Sequence, residues 1–394
     1  MRQLVSLEEA LDAVAELAPI ARQYGQKAED ARDLPAEVVD AIMAAGLWGI
    51  FAPAEVGGGG LIGADETFEI VRALAYADTS TAWSLFICAT SPAVLASKLP
   101  ADGIAEVFAD GIGPMSLCFT PAGRSAPAEG GLRVSGRWPF ASGIGYAGWV
   151  VANTVLLGAD GAPELGPDGQ PELVSVAVRT DEVTVIDDWH VAGLRGTGSM
   201  SFTMDDVFVP ARRTFPFFAP SRLADTKYRI PLFSLVAPGF AGVAIGTAER
   251  ALDEVRAVLP GRAGPPKHQP ASQDPVIQRT VGHAQAAIRG ARESTRAVFD
   301  SYVERRLRGE DLHRMPIADR CELHQHVVWA AQTCRDAVDE LFRVAGASAI
   351  YESSPIQRIW RDSTVLNQHL YLRDTHHESA GRLALGLDAA NPTI

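Results

Sequence analysis

The sequence predicts an α+β chain in three consecutive parts, helical, then β, then helical. The stretch from Gly136 to Pro210 contains runs rich in β-branched residues, Trp149 to Leu157 and Leu173 to Val178, separated by a Gly/Pro/Asp loop from Gly158 to Gln170. That is the pattern of strands joined by turns. Long segments with apolar residues three and four apart flank it on both sides. The order is helices, strands, helices without alternation, so consecutive domains are expected and not repeated βαβ units. At 394 residues the chain can bury a core shared among two or three domains. We read them as 1–110, 111–230 and 231–394.

Ser6 and Glu9 form a capping box for a first helix with Leu7, Ala10, Leu11, Val14 and Leu17 on one side. It is expected to stop near Pro19. A second helix runs from Leu34 to Ala45 with Pro35 in its first turn, and ends at Gly46. The glycine run Gly57 to Gly60 follows a helix and a proline, and lacks the preceding strand and the spacing of a nucleotide loop. It reads as a connector. Asp65 to Ala77 and Thr79 to Leu99 are two more helices, the second apolar nearly all round, hence buried, and broken at Pro92. Leu232 to Val258 follows the β part, and its Gly239, Ala241, Gly242, Ala244, Gly246 and Ala248 permit close approach of a neighbouring helix. Pro275 to Arg306, Ile317 to Ala345 and Pro355 to Gly386 complete four long helices in succession, the pattern of an up-and-down bundle.

Composition narrows the function classes. A formal net charge of -13 argues against nucleic acid or an anionic membrane as the main partner, because both need a basic face. Acids at Glu8 and Glu9 interrupt what a secretory signal would keep apolar, and no later run reads as a membrane span, so a cytoplasmic protein is expected. Cys88, Cys118, Cys321 and Cys334 show no CxxC spacing and read as reduced, mostly buried thiols. His324 with His326, and His376 with His377, lie too close in sequence to share a helix face. With no HExxH pattern, no metal is expected.

Three motifs carry a family resemblance. Gly136-Arg137-Trp138-Pro139-Phe140-Ala141-Ser142-Gly143, Gly193-Leu194-Arg195-Gly196-Thr197-Gly198-Ser199 and Pro355-Ile356-Gln357-Arg358-Ile359-Trp360-Arg361-Asp362 resemble the two-component (group D) flavin-dependent monooxygenases built on the acyl-CoA dehydrogenase fold. The resemblance covers essentially the whole chain. It implies an N-terminal α-helical domain, a central antiparallel β-barrel and a C-terminal four-helix bundle. It also implies an oxygenase component that takes reduced flavin (FADH2 or FMNH2) from a separate NAD(P)H:flavin reductase. Such a component hydroxylates an indole, polycyclic or phenolic substrate with O2 through a C4a-hydroperoxyflavin. The absence of a dinucleotide fingerprint fits that division of labour. A homo-oligomer, a tetramer in the family, is implied as well.

The discriminating position lies in the last expected helix. Dehydrogenases that resemble this chain carry their catalytic glutamate about nine residues after an Arg-Asp pair; here Arg361-Asp362 is followed by Gln368-His369-Leu370-Tyr371, with no carboxylate. The oxygenase branch has a histidine there, which His369 matches. Histidine titrates near neutrality and can exchange a proton with a departing oxygen or a substrate. The other reading of His369 is a histidine satisfied between helices. Ser142 matches the serine that hydrogen-bonds flavin N5 in the family, and is otherwise a strand terminator. The resemblance places Trp138, Phe140, Ala141, Trp189, Thr197 and Ser199 along the flavin, and Arg262 at a flavin phosphate. Phenol-hydroxylating relatives have a histidine near Cys88 to Ser91, where this chain has none. Ser116 and Cys118 join Cys88 and Ser91 as expected pocket residues but are poor bases, which favours a larger, more apolar aromatic. The alternatives are an acyl-CoA dehydrogenase with a displaced base, an N-oxygenase of an amino sugar, or a flavin-less binding protein.

Overall fold

The computed structural model describes residues 2–167, 169–264 and 269–389, in two compact units. The first comprises Met1–Ile62, Trp83–His190 and Arg195–Leu232, the second Gly63–Ala82, Val191–Leu194 and Phe233–Ile394.

The first unit opens with α1 (Leu7–Ala31), capped by the Ser6 side chain, which accepts from the Glu9 N–H, and α2 (Ala36–Ala44). The second unit takes up the chain with α3 (Ala64–Ala77) and the first turn of α4 (Thr79–Lys98). The remainder of α4 and α5 (Ala101–Val107) belong to the first unit. Neither internal proline ends its helix: Pro19 lies inside α1 and Pro92 inside α4. A proline in a helix interior costs about 3 kcal/mol. In α1 the buried face of Val14, Leu17, Ala21 and Ala28 opposes that cost, as does the near-total burial of α4. The expectation that no run could span a bilayer also needs correcting. Both α4 and α6 (Leu232–Val258) are long and apolar enough by composition, but they are 100% and 89% buried within the protein.

The β region is one seven-stranded sheet made of β1 (Met115–Ala128), β2 (Gly131–Ala141), β3 (Trp149–Leu156), β4 (Leu173–Arg179), β5 (Thr184–Ile186), β6 (Met200–Pro210) and β7 (Thr214–Pro216), in the order β5-β6-β2-β1-β3-β4-β7. The sheet is open, with β5 and β7 at its edges, so the expected closed barrel is not formed. Nor is it purely antiparallel, because β1 and β3 run parallel. Its core is built around Trp138, fully buried, stacked on Phe202 at 5.2 Å and donating its indole N–H to the Asn153 carbonyl at 2.7 Å. The indole dictates two glycines: a Cβ at Gly123 would lie 1.9 Å from the Trp138 ring, and one at Gly136 2.8 Å.

In the second unit α6 is followed by α7 (Pro275–Leu307) and α8 (Ile317–Ala345). The small residues of α6 serve as expected: at Gly246 a Cβ would stand 2.2 Å from the Arg72 carbonyl of α3. The last expected helix is divided. α9 (Pro355–Leu366) stops, a single 3-10 turn (Leu370–Leu372) intervenes, and α10 (Thr375–Ala384) follows.

Candidate active site

The end of β2 and the start of β6 pair Ala141 with Met200, which sets Ser142 and Ser199 opposite each other. Three backbone features hold this corner. Phe140 sits at φ 63, the Ser142 N–H donates back to the Phe140 carbonyl, and the Gly143 N–H donates to the Thr197 carbonyl at 3.0 Å. A positive φ at a bulky residue is strained, and here it turns the chain out of the strand so that the Ser142 hydroxyl faces inward. Ser142 Oγ lies 2.7 Å from Ser199 Oγ, which lies 2.7 Å from Thr197 Oγ1, and the Trp83 indole N–H donates to Ser142 Oγ at 3.0 Å. All three hydroxyl residues are buried. Phe140 is 65% exposed and meets the buried Trp189 edge to face at 6.1 Å.

Four expected pocket residues lie in this unit. The Cys88 thiol points at the Ser142 carbonyl at 3.5 Å, and burial pushes it up to about 12. Ser91 Oγ is spent on the Ile87 carbonyl of its own helix, and the Cys118 thiol, also raised by burial, on the Pro139 carbonyl. Ser116 Oγ is buried without a hydrogen-bond partner, while the Tyr146 hydroxyl interacts with Ser84 and Cys88. Burial, reinforced by Cys88, raises the Tyr146 phenol well above its ordinary range. No group in this set is a base at neutral pH. One acid that sequence reasoning overlooked stands close by: a Cβ at Gly198 would lie 2.3 Å from Asp33 Oδ1, and one at Gly145 2.1 Å from Asp33 Oδ2. Burial raises Asp33 to about 6, against the Leu34 N–H that its carboxylate accepts.

The second unit holds the rest. The Arg361-Asp362 pair grips the main chain of Val191–Leu194, with Asp362 Oδ1 accepting the Leu194 N–H at 2.6 Å and Arg361 donating to the Ala192 carbonyl at 2.8 Å. His369 is not on a helix. It caps the Leu370–Leu372 turn, its Nδ1 accepting the Tyr371 N–H at 3.1 Å, and its ring lies 4.7 Å from that of Phe240. With Nδ1 an acceptor, the neutral ring carries its proton on Nε2. Burial, then Arg373, lowers it to about 4, so the expected titration near neutrality is not what the site provides. Arg262 donates to the Val344 carbonyl at 2.6 Å, at the C-terminal end of α8.

Of the expected flavin contacts, Trp138 is fully enclosed in the sheet core and Ala141 is fully buried beside it, so these two shape the corner without lining a surface. Phe140, Ser142, Trp189, Thr197 and Ser199 come together. Sequence reasoning missed Trp83, which falls in a helix read only as apolar and buried, and Asp33, which it passed over. No local pattern marks either. A flat heteroaromatic ring fits what is there: buried neutral donors for an edge nitrogen, and an exposed phenyl held in strained backbone for a face.

Models described as the acyl-CoA dehydrogenase N-terminal and C-terminal domains match residues 8–97 and 238–374. The chain is 30% identical to a pigment production hydroxylase of Rhodococcus sp., over 99% of this chain and 100% of that one. It is 29% identical to the oxygenase component of an FADH2-dependent resorcinol hydroxylase of Rhizobium sp., over 95% and 93%. Among solved structures, XiaF from Streptomyces sp., in complex with FADH2 and glycerol, matches with a TM-score of 0.90 and 26% identity over 98% of each chain.

Proposed function

The chain belongs to the flavin-dependent monooxygenases built on the acyl-CoA dehydrogenase fold, and from that membership we propose that it hydroxylates a neutral aromatic substrate of the indole or polycyclic kind. A separate reductase delivers its reduced FAD. Reduced flavin, when bound, supplies the two electrons that let O2 give one atom to the substrate and the other to water.

The carrying observation is the state of His369. Its Nδ1 is occupied by the Tyr371 N–H and burial keeps the ring neutral, so it offers a protonated Nε2 as donor. Abstraction of an acidic C–H next to a thioester needs an acceptor there, and a ring lowered to about 4 is a weak one. The dehydrogenase reading is therefore disfavoured by the chemistry of the side chain. Ser142, Ser199 and Thr197 form a hydroxyl chain that does not titrate in the working range. It can hold the proton of a ring nitrogen in place and exclude water from it. Cys88, Ser116 and Cys118 offer polarity without basicity. A substrate hydroxyl among them stays protonated, which favours rings reactive when neutral. The same membership is our ground for a homo-oligomer.

The test supplies photoreduced FAD, oxygenated buffer and a panel of indoles, naphthols and small phenols. Hydroxylated product is expected. His369→Gln and Ser142→Ala should each divert O2 to H2O2, up to roughly tenfold for one lost hydrogen bond of about 0.5–1.5 kcal/mol. H2O2 alone with every aromatic, or anaerobic bleaching of oxidised FAD by an acyl-CoA, would overturn the reading.

A further inference from the structure

The second unit contains a buried polar cluster that the mechanism above does not use. His324 of α8 is fully buried, with Nδ1 2.6 Å from the Tyr371 hydroxyl and Nε2 3.2 Å from Ser234 Oγ of α6. His376 of α10 stacks on His324 at 5.0 Å and 12°. Phe240 of α6 stacks on the Tyr371 ring at 4.4 Å and 2°. Tyr371 is thus fixed at both ends: its ring between Phe240 and the two histidines, its hydroxyl by His324. Its backbone N–H is the group that occupies His369 Nδ1.

We propose that His324 and Tyr371 are positioning residues for His369. The His324 to Tyr371 hydrogen bond sets the Leu370–Leu372 turn in the register that delivers the Tyr371 N–H to Nδ1, and so keeps His369 in its Nε2-protonated tautomer. Its importance for turnover rests on the reading of His369 given above. Two facts fit a device that orients without exchanging protons with solvent. Burial lowers His324 to about 3, so it stays a neutral donor and acceptor, and raises the Tyr371 phenol well above its ordinary range. Deleting the Tyr371 oxygen leaves a buried imidazole nitrogen of His324 without the partner it has at 2.6 Å, which is unfavourable. The turn, only three residues long, can shift to relieve it.

The experiment is ring-15N histidine NMR on the whole protein, with the His369 signals assigned by their loss in His369→Gln. In the unsubstituted chain at pH 7.5 the Nε2-protonated form should dominate. Tyr371→Phe and His324→Leu should raise the Nδ1-protonated form several-fold. His324→Asn, whose amide places a polar atom near the former Nδ1, should restore the original spectrum. If His324→Leu does not fold, Tyr371→Phe decides alone. An unchanged His369 spectrum in Tyr371→Phe overturns the proposal, even where His369→Gln leaks H2O2 as expected. A shifted tautomer in Tyr371→Phe supports the positioning role, even where His369→Gln keeps full coupling and the functional reading falls.

Discussion

Two polar sites, one on the sheet and one among the C-terminal helices, are chemically opposite. Around Ser142 the partners are hydroxyls, an indole N–H and main chain, none of which changes charge at ordinary pH. The helical site contains three imidazoles, His369, His324 and His376, each lowered by burial, to about 4, 3 and 4. The hydrogen-bonded groups of the sheet site hold geometry without titrating, with Asp33 a titrating neighbour packed against Gly145 and Gly198. The helical site uses groups that would titrate in water, and burial holds them neutral. Hydroxyls therefore suit a task in which a proton must stay put, and neutral imidazoles one in which an N–H must be presented in a fixed direction.

Acid should separate the two most strongly. For the three histidines the folded pKa lies below the ordinary 6.5, so the unfolded chain binds protons that the folded one refuses. Their stabilisation is complete above about pH 6.5 and is lost as pH falls toward 4. At about 1.4 kcal/mol for each tenfold change in proton affinity, the loss amounts to several kcal/mol. Helical circular dichroism followed down the pH scale should fall before the fluorescence of the sheet tryptophans changes. His324→Asn combined with His376→Asn should flatten that fall. Coincident transitions in the double variant and the parent would remove the contrast.

Within the sheet, a second comparison concerns two aromatic neighbours. Trp138 is fully buried and Phe140 is 65% exposed. Trp138→Ala should cost about 3–5 kcal/mol in urea unfolding. Phe140→Ala should cost less than about 1 kcal/mol while weakening reduced-FAD binding in a titration. Equal losses of stability would mean that the exposed phenyl is part of the fold and not of the site.

The two sites also differ in how far they could be read from sequence. Ser142, Thr197 and Ser199 lie in glycine-bearing motifs visible in the chain, but the β2–β6 register that joins them was not, because the β-branched runs fall on β3 and β4. His369 was legible as a position but not as a structure. The periodic pattern from Pro355 to Gly386 continues across a place where the backbone stops being helical at Asn367. What stops it is tertiary: the Tyr371 ring is drawn into a slot made by Phe240 and His324, from α6 and α8. The histidine pairs show the same effect. Sequence sets neighbours side by side, whereas the stacked pair is His324 with His376, from α8 and α10. Pro19 and Pro92 mislead in the reverse sense, because local propensity predicts a break and burial overrides it.

A second pH effect, smaller than the first, runs opposite to it in sign in the same pH window. Asp33 is raised to about 6 from 3.8, since burial penalises its carboxylate beside Gly145 and Gly198. A raised acid favours the folded state when protonated, so its stabilisation is full below about pH 3.8 and is lost as pH rises through 6. Asp33→Asn keeps an oxygen for the Leu34 N–H and holds the neutral form at every pH. The variant should match the parent near pH 4 and exceed it by about 1–3 kcal/mol at pH 7.5, measured by urea unfolding at the two values. Acid would then loosen the helical site while relieving the sheet. An Asn variant no more stable than the parent at pH 7.5 would mean that the carboxylate is solvated or paired there, and that titration plays no part in the sheet site at all.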